Sequence, residues 1–447
     1  MAGDKESVVK ANGWALLPFL VFAVFYVGLS VHAGNCGIEM PWYKVPMPIA
    51  FLVASAVSVA MSARRRKLEE CIDAYAFGMG ETNIMMMCLI FILAGAFATV
   101  AKGAGAVDAA VAIARAFIPA KLMLAGVFLV SCLISTAIGT SCGTIAAVTP
   151  IALGFTGPLG LPPSLLMGAV IGGAMFGDNL SMISDTTIAA TRTQGVAMRD
   201  KFFANFLIAL PAAIVAFALY AARGASAGAI DAPAVGWHEA VLVLPYALVL
   251  VLALVGWNVM ALLFLGTLLS AVIGAAFGTF DLFGALDLLG KGTLGMSETL
   301  IVAILAGGLF RSVQENGGIR WLTEAIGRLV RGSRTCEAGM GLLVGAVNCF
   351  TANNTVAIVI AGPIARECAD RFGASRVRMA SVLDTVSCVV QGLIPYGAQI
   401  LIALGVAKGL GHTVDSFSLV SNLYYQPLLA LAVVLAIVFN TKKGKQK

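Results

Sequence analysis

The sequence predicts an all-α polytopic membrane protein with about 10–13 membrane segments, arranged as two inverted-topology repeats with broken helices and re-entrant hairpins. Three observations predict this fold class: an apolar composition, motif pairs that recur in order in the two halves, and polar interruptions inside apolar segments. The chain of 447 residues is 60% hydrophobic and 12% charged, whereas soluble domains carry about 25% charged residues. This composition excludes a soluble enzyme, a collagen-like chain and a disordered chain.

Basic clusters predict the topology. Arg64 to Lys67 follow the second apolar segment and four lysines between 442 and 447 follow the last one, so both clusters should be cytoplasmic. Residues 223–238 carry no basic excess and should lie outside. The prediction is therefore a first repeat over 1–222, an extracytoplasmic linker over 223–238 and an inverted second repeat over 239–447, in the cytoplasmic (inner) membrane of a bacterium.

Six short motifs of the first half recur in the same order in the second. One match is weak evidence in apolar sequence, but six in order indicate an internal repeat. The pairs are Leu17-Pro18 with Leu244-Pro245, Gly78-Met79 with Gly295-Met296, Ile92 to Gly95 with Ile304 to Gly307, Thr140/Thr144 with Thr351/Thr355, Pro150 to Ala152 with Pro363 to Ala365, and Asp178/Ser181/Asp185 with Asp384/Ser387/Gln391. Inverted repeats with broken helices are typical of secondary transporters, whose site lies at the repeat interface.

Polar residues interrupt the apolar sequence at equivalent places in both halves. We predict a hairpin and a broken helix within 139–190, a hairpin over 336–366 and a broken helix over 377–410. Unpaired backbone is costly in hydrocarbon, so such interruptions persist only where protein or a water-filled cavity covers them. They should therefore mark the functional core.

The densest polar string runs from 176 to 187. Asp178, Ser181 and Asp185 have the i, i+3, i+7 spacing of one helix face, and Asn179, Ser184 and Thr186 add further ligand atoms. Carboxylate and hydroxyl oxygens suit a hard cation such as Na⁺, and an intramembrane carboxylate can exchange a proton for a cation. The alternative is structural: Asp178 would cap a helix, and Asp185 would begin a surface loop.

At this string the chain resembles the NhaC family of Na⁺/H⁺ antiporters in the ion transporter superfamily. The resemblance rests on the pattern Gly-Asp-x-x-Ser-x-x-Ser-Asp-Thr-Thr over 177–187, and the repeat layout extends it to most of the chain. It implies re-entrant hairpins and alternating access, in which one domain carries the site past another. Members exchange Na⁺ for H⁺, and relatives move dicarboxylates or amino acids.

Two broken segments read as hairpin tips, because each follows a long apolar helix and precedes a short one with the motif Pro-Ile-Ala. Freed carbonyls and polar side chains at such tips can coordinate Na⁺; ordinary loops at the membrane surface are the alternative. The candidate ligands are Thr140, Ser141, Thr144, Asn353, Asn354 and Thr355, with Na⁺ placed at Ser141, Thr144, Asn354 and Thr355.

The third constellation is Asp384, Ser387 and Gln391, interpreted as the repeat partner of the 176–187 string with an amide in place of one acid. The transported proton should then reside on Asp178, Asp185 or Asp384, while Gln391 should orient a ligand. Three basic residues follow this string: Arg192, Arg199 and Lys201. An arginine such as Arg192 could hold a carboxylate-bearing substrate through a bidentate contact, but the positive-inside rule explains all three without a ligand.

These features predict a secondary active transporter, most simply a Na⁺/H⁺ antiporter that works by alternating access. The alternative is a Na⁺- or H⁺-coupled transporter or exchanger of an amino acid or small carboxylate on the same fold. The sequence has no H-E-x-x-H pair and no G-x-x-x-x-G-K-[ST] motif, which argues against a membrane hydrolase and an ATP-driven pump. We expect no enzyme activity, no cofactor and no nucleic-acid partner; membrane lipid is an expected partner and a homodimer is left open.

Overall fold

A computed structural model describes residues 10–38, 44–182, 184–225, 235–255 and 257–439. The central part of the predicted linker and the C-terminal lysines therefore lie outside the described residues. The described chain is helical throughout and contains no β-strand.

The first half begins with a 3₁₀ turn at Gly13–Leu16. Its helices are α1 (Leu17–Asn35), α2 (Met47–Ser62), α3 (Leu68–Met79), α4 (Thr82–Gly103), α5 (Ala106–Phe117), α6 (Ala120–Ile138), α7 (Ser141–Gly154), α8 (Thr156–Leu159), α9 (Pro163–Leu180), α10 (Asp185–Gln194) and α11 (Met198–Gly224).

The second half repeats this order. Its helices are α12 (Trp237–Leu242), α13 (Leu244–Leu254), α14 (Val259–Ala276), α15 (Leu282–Gly295), α16 (Ser297–Glu315), α17 (Gly318–Gly327), α18 (Ser333–Thr351), α19 (Asn354–Phe372), α20 (Arg376–Leu393), α21 (Ala398–Gly409), α22 (Ser416–Val420) and α23 (Tyr425–Val438).

Eight helical segments of the described chain are long and apolar enough to cross a membrane, and the shorter apolar helices α2, α7 and α23 add to them. The predicted all-α, multi-pass fold class is confirmed. In each half a hairpin (α6–α7 and α18–α19) precedes a broken helix (α9–α10 and α20–α21), so the polar interruptions are true breaks between helices.

The hairpin and broken helix of the two halves are related by a constant shift. Helices α9 and α20 both have 18 residues, and their starts are separated by 376 − 163 = 213 positions. Two equivalent braces follow this shift: Ser135 Oγ donates to Ala174 O at 2.6 Å, and Asn348 Nδ2 donates to Ser387 O at 2.8 Å. The register of the repeat is therefore fixed by helix ends and by side-chain hydrogen bonds.

This register corrects one predicted pair. Under the shift of 213, the counterpart of Asp178 is Gln391, and Asp384 corresponds to Ile171. The motif match had slipped by seven residues, about two helical turns, which returns a residue to nearly the same helix face. The expected single face is also absent, because Asp178 lies on α9 whereas Asp185 begins α10.

Small residues bring the broken helix of the first half close to its hairpin. A Cβ at Gly173 would lie 2.3 Å from Phe128 O, and one at Gly177 would lie 2.4 Å from Thr136 N. Helix α9 thus packs against the backbone of α6, as small-residue interfaces permit in membranes. This packing fixes the end of α9, where Asp178 lies, beside the tip between α6 and α7.

Candidate cation site between the hairpin tips

A cavity of about 170 Å³ lies where the two hairpin tips meet the two broken helices. Its wall also includes apolar side chains of α4, among them Met86 and Ile90. Ten of the fifteen predicted site residues line it: Thr140, Ser141, Asp178, Ser184, Asp185, Thr186, Asn353, Asn354, Thr355 and Gln391. Segments more than 200 residues apart in the sequence therefore form one site.

Both tips reverse the chain in the same way. Helix α6 ends at Gly139 with φ 74°, and α18 ends at Ala352 with φ 49°; both are left-handed conformations. The next residues, Thr140 and Asn353, are extended and precede α7 and α19. Asn353 Oδ1 accepts a hydrogen bond from Val356 N at 3.0 Å and so caps α19. Each tip therefore brings a helix C-terminus and a helix N-terminus to the cavity.

Asp178 is the buried acid of the cavity, with 5% of its surface exposed. Its carboxylate accepts hydrogen bonds from Ser141 Oγ at 2.9 Å and from Ser184 Oγ at 2.5 Å, and Ser184 also contacts Thr186 Oγ1 at 2.9 Å. Both donors are neutral hydroxyls. The N-terminus of α7, where Ser141 lies, adds a positive partial charge that favours the ionised carboxylate. These hydrogen bonds therefore stabilise the Asp178 carboxylate, but because both donors are neutral they do not cancel its negative charge.

Amide side chains connect this acid to the second repeat. Gln399 Nε2 donates to Ser141 Oγ at 3.0 Å, and Gln391 Nε2 donates to Gln399 Oε1 at 2.9 Å and to Ala352 O at 2.9 Å. Gln391 Oε1 is buried and has no hydrogen-bond partner among the described residues. An unpaired buried oxygen beside a cavity is a suitable ligand atom for a cation.

The sequence interpretation did not include Gln399. It stands 399 − 186 = 213 positions after Thr186, so the repeat register could have identified it once the hairpins had been aligned by their helix ends. Without that register, Gln399 is an isolated amide at the start of an apolar helix.

Five predicted residues lie outside the cavity wall. Thr144, in the first turn of α7, is buried, and its Oγ1 donates to Thr140 O at 3.0 Å. Ser181, which follows α9, is buried. Asn179, Asp384 and Ser387 belong to a separate buried cluster, in which Asp384 pairs with Lys201 and Ser387 Oγ donates to Asp384 O at 2.9 Å.

Two charged residues differ from their expected setting. Lys201, attributed to topology, has only 1% of its side chain exposed and is a member of the buried cluster. Asp185 lines the cavity but is exposed at the start of α10.

None of the described residues that line the cavity is Lys, Arg or His. The net charge of the cavity wall is therefore negative when its acids are ionised.

Comparison with known proteins identifies the family. The model of the Na⁺/H⁺ antiporter family matches residues 7–222 and 230–439. The chain is 25% identical over 426 residues to the Na⁺/H⁺ antiporter NhaC of Bacillus subtilis, covering 87% of this chain and 91% of that protein. It is 24% identical to the malate-2H⁺/Na⁺-lactate antiporter of the same organism, over 80% of this chain and 82% of that protein.

An arginine/ornithine antiporter, ArcD of Halobacterium salinarum, is 24% identical, with 88% of this chain and 86% of that protein covered. Among solved structures, the YdaH transporter of Alcanivorax borkumensis shows a TM-score of 0.39 and 15% identity, over 96% of this chain and 98% of that one. The family model spans nearly the whole sequence, in two blocks that meet near the predicted linker. The chain therefore belongs to the Na⁺/H⁺ antiporter family.

Proposed function

We propose that this protein exchanges Na⁺ for H⁺ across the membrane, and that the cavity between the hairpin tips is the site where the two ions compete. The observation that carries the proposal is Asp178, a buried carboxylate held by two hydroxyls in a cavity whose described wall contains no basic side chain. Family membership supports the same reaction.

The chemistry follows from the single charge of this carboxylate. When Asp178 is ionised, Na⁺ can bind to it and complete its shell with neutral oxygens, for which Gln391 Oε1 and the hydroxyl of Thr186 are suited. When a proton binds to Asp178, the charge that attracts Na⁺ disappears. Because one carboxylate cannot hold both ions, loading on one side with Na⁺ and on the other with H⁺ produces exchange.

Alternating access requires the site to open to each side in turn. The cavity is built from both repeats, and at its wall hydrogen bonds among Ser141, Gln399 and Gln391 join them. Such bonds can be exchanged for water when the halves separate. We propose that relative movement of the hairpins and broken helices exposes Asp178 alternately to the two sides.

An organic solute is the competing cargo, because two relatives are named for carboxylates or amino acids. An organic carboxylate entering the cavity would face Asp178 and Asp185, without a Lys, Arg or His among the described wall residues to hold it. Charge therefore favours a cation. In the experiment below, a panel of dicarboxylates and amino acids provides the direct comparison.

The test uses purified protein in liposomes that contain a pH-sensitive dye. Na⁺ pulses should move protons in the opposite direction, and Li⁺, K⁺ and the organic panel provide the specificity. The apparent Na⁺ affinity should increase as pH increases, since fewer protons compete for Asp178, and should level off once that group is fully ionised. Na⁺ affinity that is independent of pH would contradict the competition, and proton movement that requires an organic solute would favour the alternative cargo.

We also propose that both termini are cytoplasmic and that the protein lies in the cytoplasmic membrane of a bacterium. Arg64 and Arg65, which are exposed after α2, support this orientation. Cys36, an exposed thiol after α1, should then face outside. An impermeant maleimide should label it in intact cells, and Cys36→Ser should abolish that labelling. Labelling that requires disrupted membranes would reverse the orientation.

A further inference from the structure

A second buried cluster lies behind the cavity. Lys201 on α11 and Asp384 on α20 form an ion pair, with 1% and 0% of their side chains exposed. Asn205, one turn after Lys201, donates to Asp384 Oδ2 at 2.8 Å. The pair joins a helix of the first repeat to the broken helix of the second.

Lys201 also contacts both sides of the break between α9 and α10. Its Nζ donates to Asn179 O at 2.9 Å and to Thr187 Oγ1 at 2.7 Å, and Thr187 Oγ1 donates to Ser181 O at 2.8 Å. With Asp384, these contacts use all three protons of the ammonium group. The lysine thus holds the last turn of α9 and the first turn of α10 at a fixed separation.

The break that Lys201 holds contains Ser184, whose hydroxyl donates to Asp178. Asn179, which accepts from Lys201, directly follows Asp178 in the chain. In the second repeat the corresponding break is closed differently, by backbone hydrogen bonds such as Gly397 N to Ile394 O at 2.9 Å. A charged tether is therefore present at the break that supplies the buried acid.

A lysine so close to the cation site would by itself repel Na⁺. Asp384 cancels the charge of Lys201, because a paired lysine and carboxylate have no net charge. Salt screens the attraction between the two groups only weakly, since the pair is buried. Asp384 is itself turned away from the transported ions, because it does not line the cavity. Lys201 and Asn205 contact its Oδ2, and Cys388 Sγ lies 3.9 Å from its Oδ1.

We propose that Lys201 and Asp384 form a charge-neutral positioning pair: Lys201 holds the break so that Ser184 and Asp178 keep their geometry, and Asp384 prevents Lys201 from repelling the cation. The proposal rests on Na⁺/H⁺ exchange at Asp178. It assigns Asp384 to compensation of charge, not to ion carriage.

The test is a double-mutant cycle in liposomes, with KM for Na⁺ and maximal rate measured separately. Asp384→Asn leaves Lys201 uncompensated and should raise KM by about tenfold or more. Adding Lys201→Gln removes the unpaired charge but also the ammonium donor at the break. KM should therefore fall at least about threefold below that of Asp384→Asn and approach that of Lys201→Gln alone, which should stay above the wild-type value because the break is no longer held. A pair that only stabilises the fold predicts no such rescue, because the double variant would retain both defects.

The matched control is Glu298→Gln with Lys408→Gln, a pair at 3.0 Å whose side chains are each 45% exposed; its removal should leave KM unchanged. An unchanged KM in Asp384→Asn, or a double variant no better than the single one, would overturn the proposal. If Asp384→Asn does not fold, a folded double variant whose KM matches that of Lys201→Gln alone supports the proposal, and failure of both Asp384→Asn and the double variant to fold overturns it. Absence of Na⁺/H⁺ exchange in the wild-type protein would instead refute the proposed function.

Discussion

The two repeats present different groups at equivalent positions of their broken helices. In the first, Asp178 faces the N-terminus of α7 and accepts hydrogen bonds from Ser141 and Ser184. In the second, Gln391 donates its amide protons to Gln399 and to the carbonyl of Ala352 at the end of α18. An anion placed at a helix N-terminus and a donor placed at a helix C-terminus are each matched to the local dipole.

This difference separates the role of the fold from that of the charge. The repeated backbone supplies two equivalent tips and two equivalent breaks to the cavity. Only the first repeat supplies a carboxylate at the 178/391 position, so only that half can exchange a proton for a cation there. In the proposed mechanism, Gln391 is a neutral ligand and brace, and Asp178 alone makes Na⁺ binding depend on H⁺.

The largest expected effect comes from removing this asymmetry. Asp178→Asn makes both equivalent positions amides, and Na⁺-driven proton movement should fall by at least roughly 100-fold, since an amide does not titrate. Asp185→Asn is the matched control, because Asp185 lines the same cavity but is exposed; its effect should be smaller. Full exchange by Asp178→Asn, measured with the same dye assay, would assign the proton to another group.

The converse change, Gln391→Glu, introduces a second acid. The new carboxylate would face the carbonyl of Ala352 in place of an amide donor, so the free energy of unfolding should fall by about 1–3 kcal/mol. Combined with Asp178→Asn, it should not restore exchange, because position 391 lacks the hydroxyl donors and the helix N-terminus that support Asp178. Thermal unfolding in detergent and the dye assay measure the two effects. Restored exchange in the combined variant would show that the positions are interchangeable.

The sequence predicted the main features of this comparison but not its register. The fold class is confirmed, and most predicted polar residues line one cavity because hydrophobicity and its polar interruptions are local properties of the sequence. The pairing of Asp178 with Asp384 was wrong, since a slip of two helical turns preserves the pattern of faces. Helix ends, which depend on capping at Gly139 and Ala352, were needed to remove the slip.

Lys201 and Gln399 could not be assigned from sequence for a different reason. A lysine after a polar segment is normally explained by membrane topology, and its burial depends on Asp384, which is 183 positions away (384 − 201). Gln399 gains its role only through contacts with Ser141 and Gln391. Tertiary partners, and not local pattern, distinguish these two residues from ordinary ones.

A moderate effect should distinguish the first residues of α7 and α19. Ser141→Ala removes a hydroxyl that donates to the carboxylate, and such a charge-assisted bond contributes about 1.5–3 kcal/mol. KM for Na⁺ should therefore rise by about tenfold or more. Asn354→Ala, at the equivalent position of α19, should raise KM for Na⁺ by less than Ser141→Ala does. Its effect on Na⁺ binding should still be larger than its effect on the expression level. Equal KM values for the two variants would indicate that the tips contribute symmetrically.

The smallest effect concerns the residues that end α6 and α18. Gly139 adopts φ 74° without strain, whereas Ala352 adopts φ 49°, the one positive φ of a non-glycine residue in the described chain. The left-handed region costs an alanine about 1–2 kcal/mol relative to glycine, and glycine in turn loses about 0.4–1 kcal/mol more on folding through its greater freedom when unfolded. Gly139→Ala should therefore lower the free energy of unfolding by about 1 kcal/mol, and Ala352→Gly should raise it by about 0.5 kcal/mol.

Scanning fluorimetry in detergent compares the stability of the two variants, with Na⁺ affinity as the functional measure. Destabilisation by Ala352→Gly would show that the methyl group of Ala352, which is buried at 6% exposure, contributes more through packing at the second tip than its backbone conformation costs.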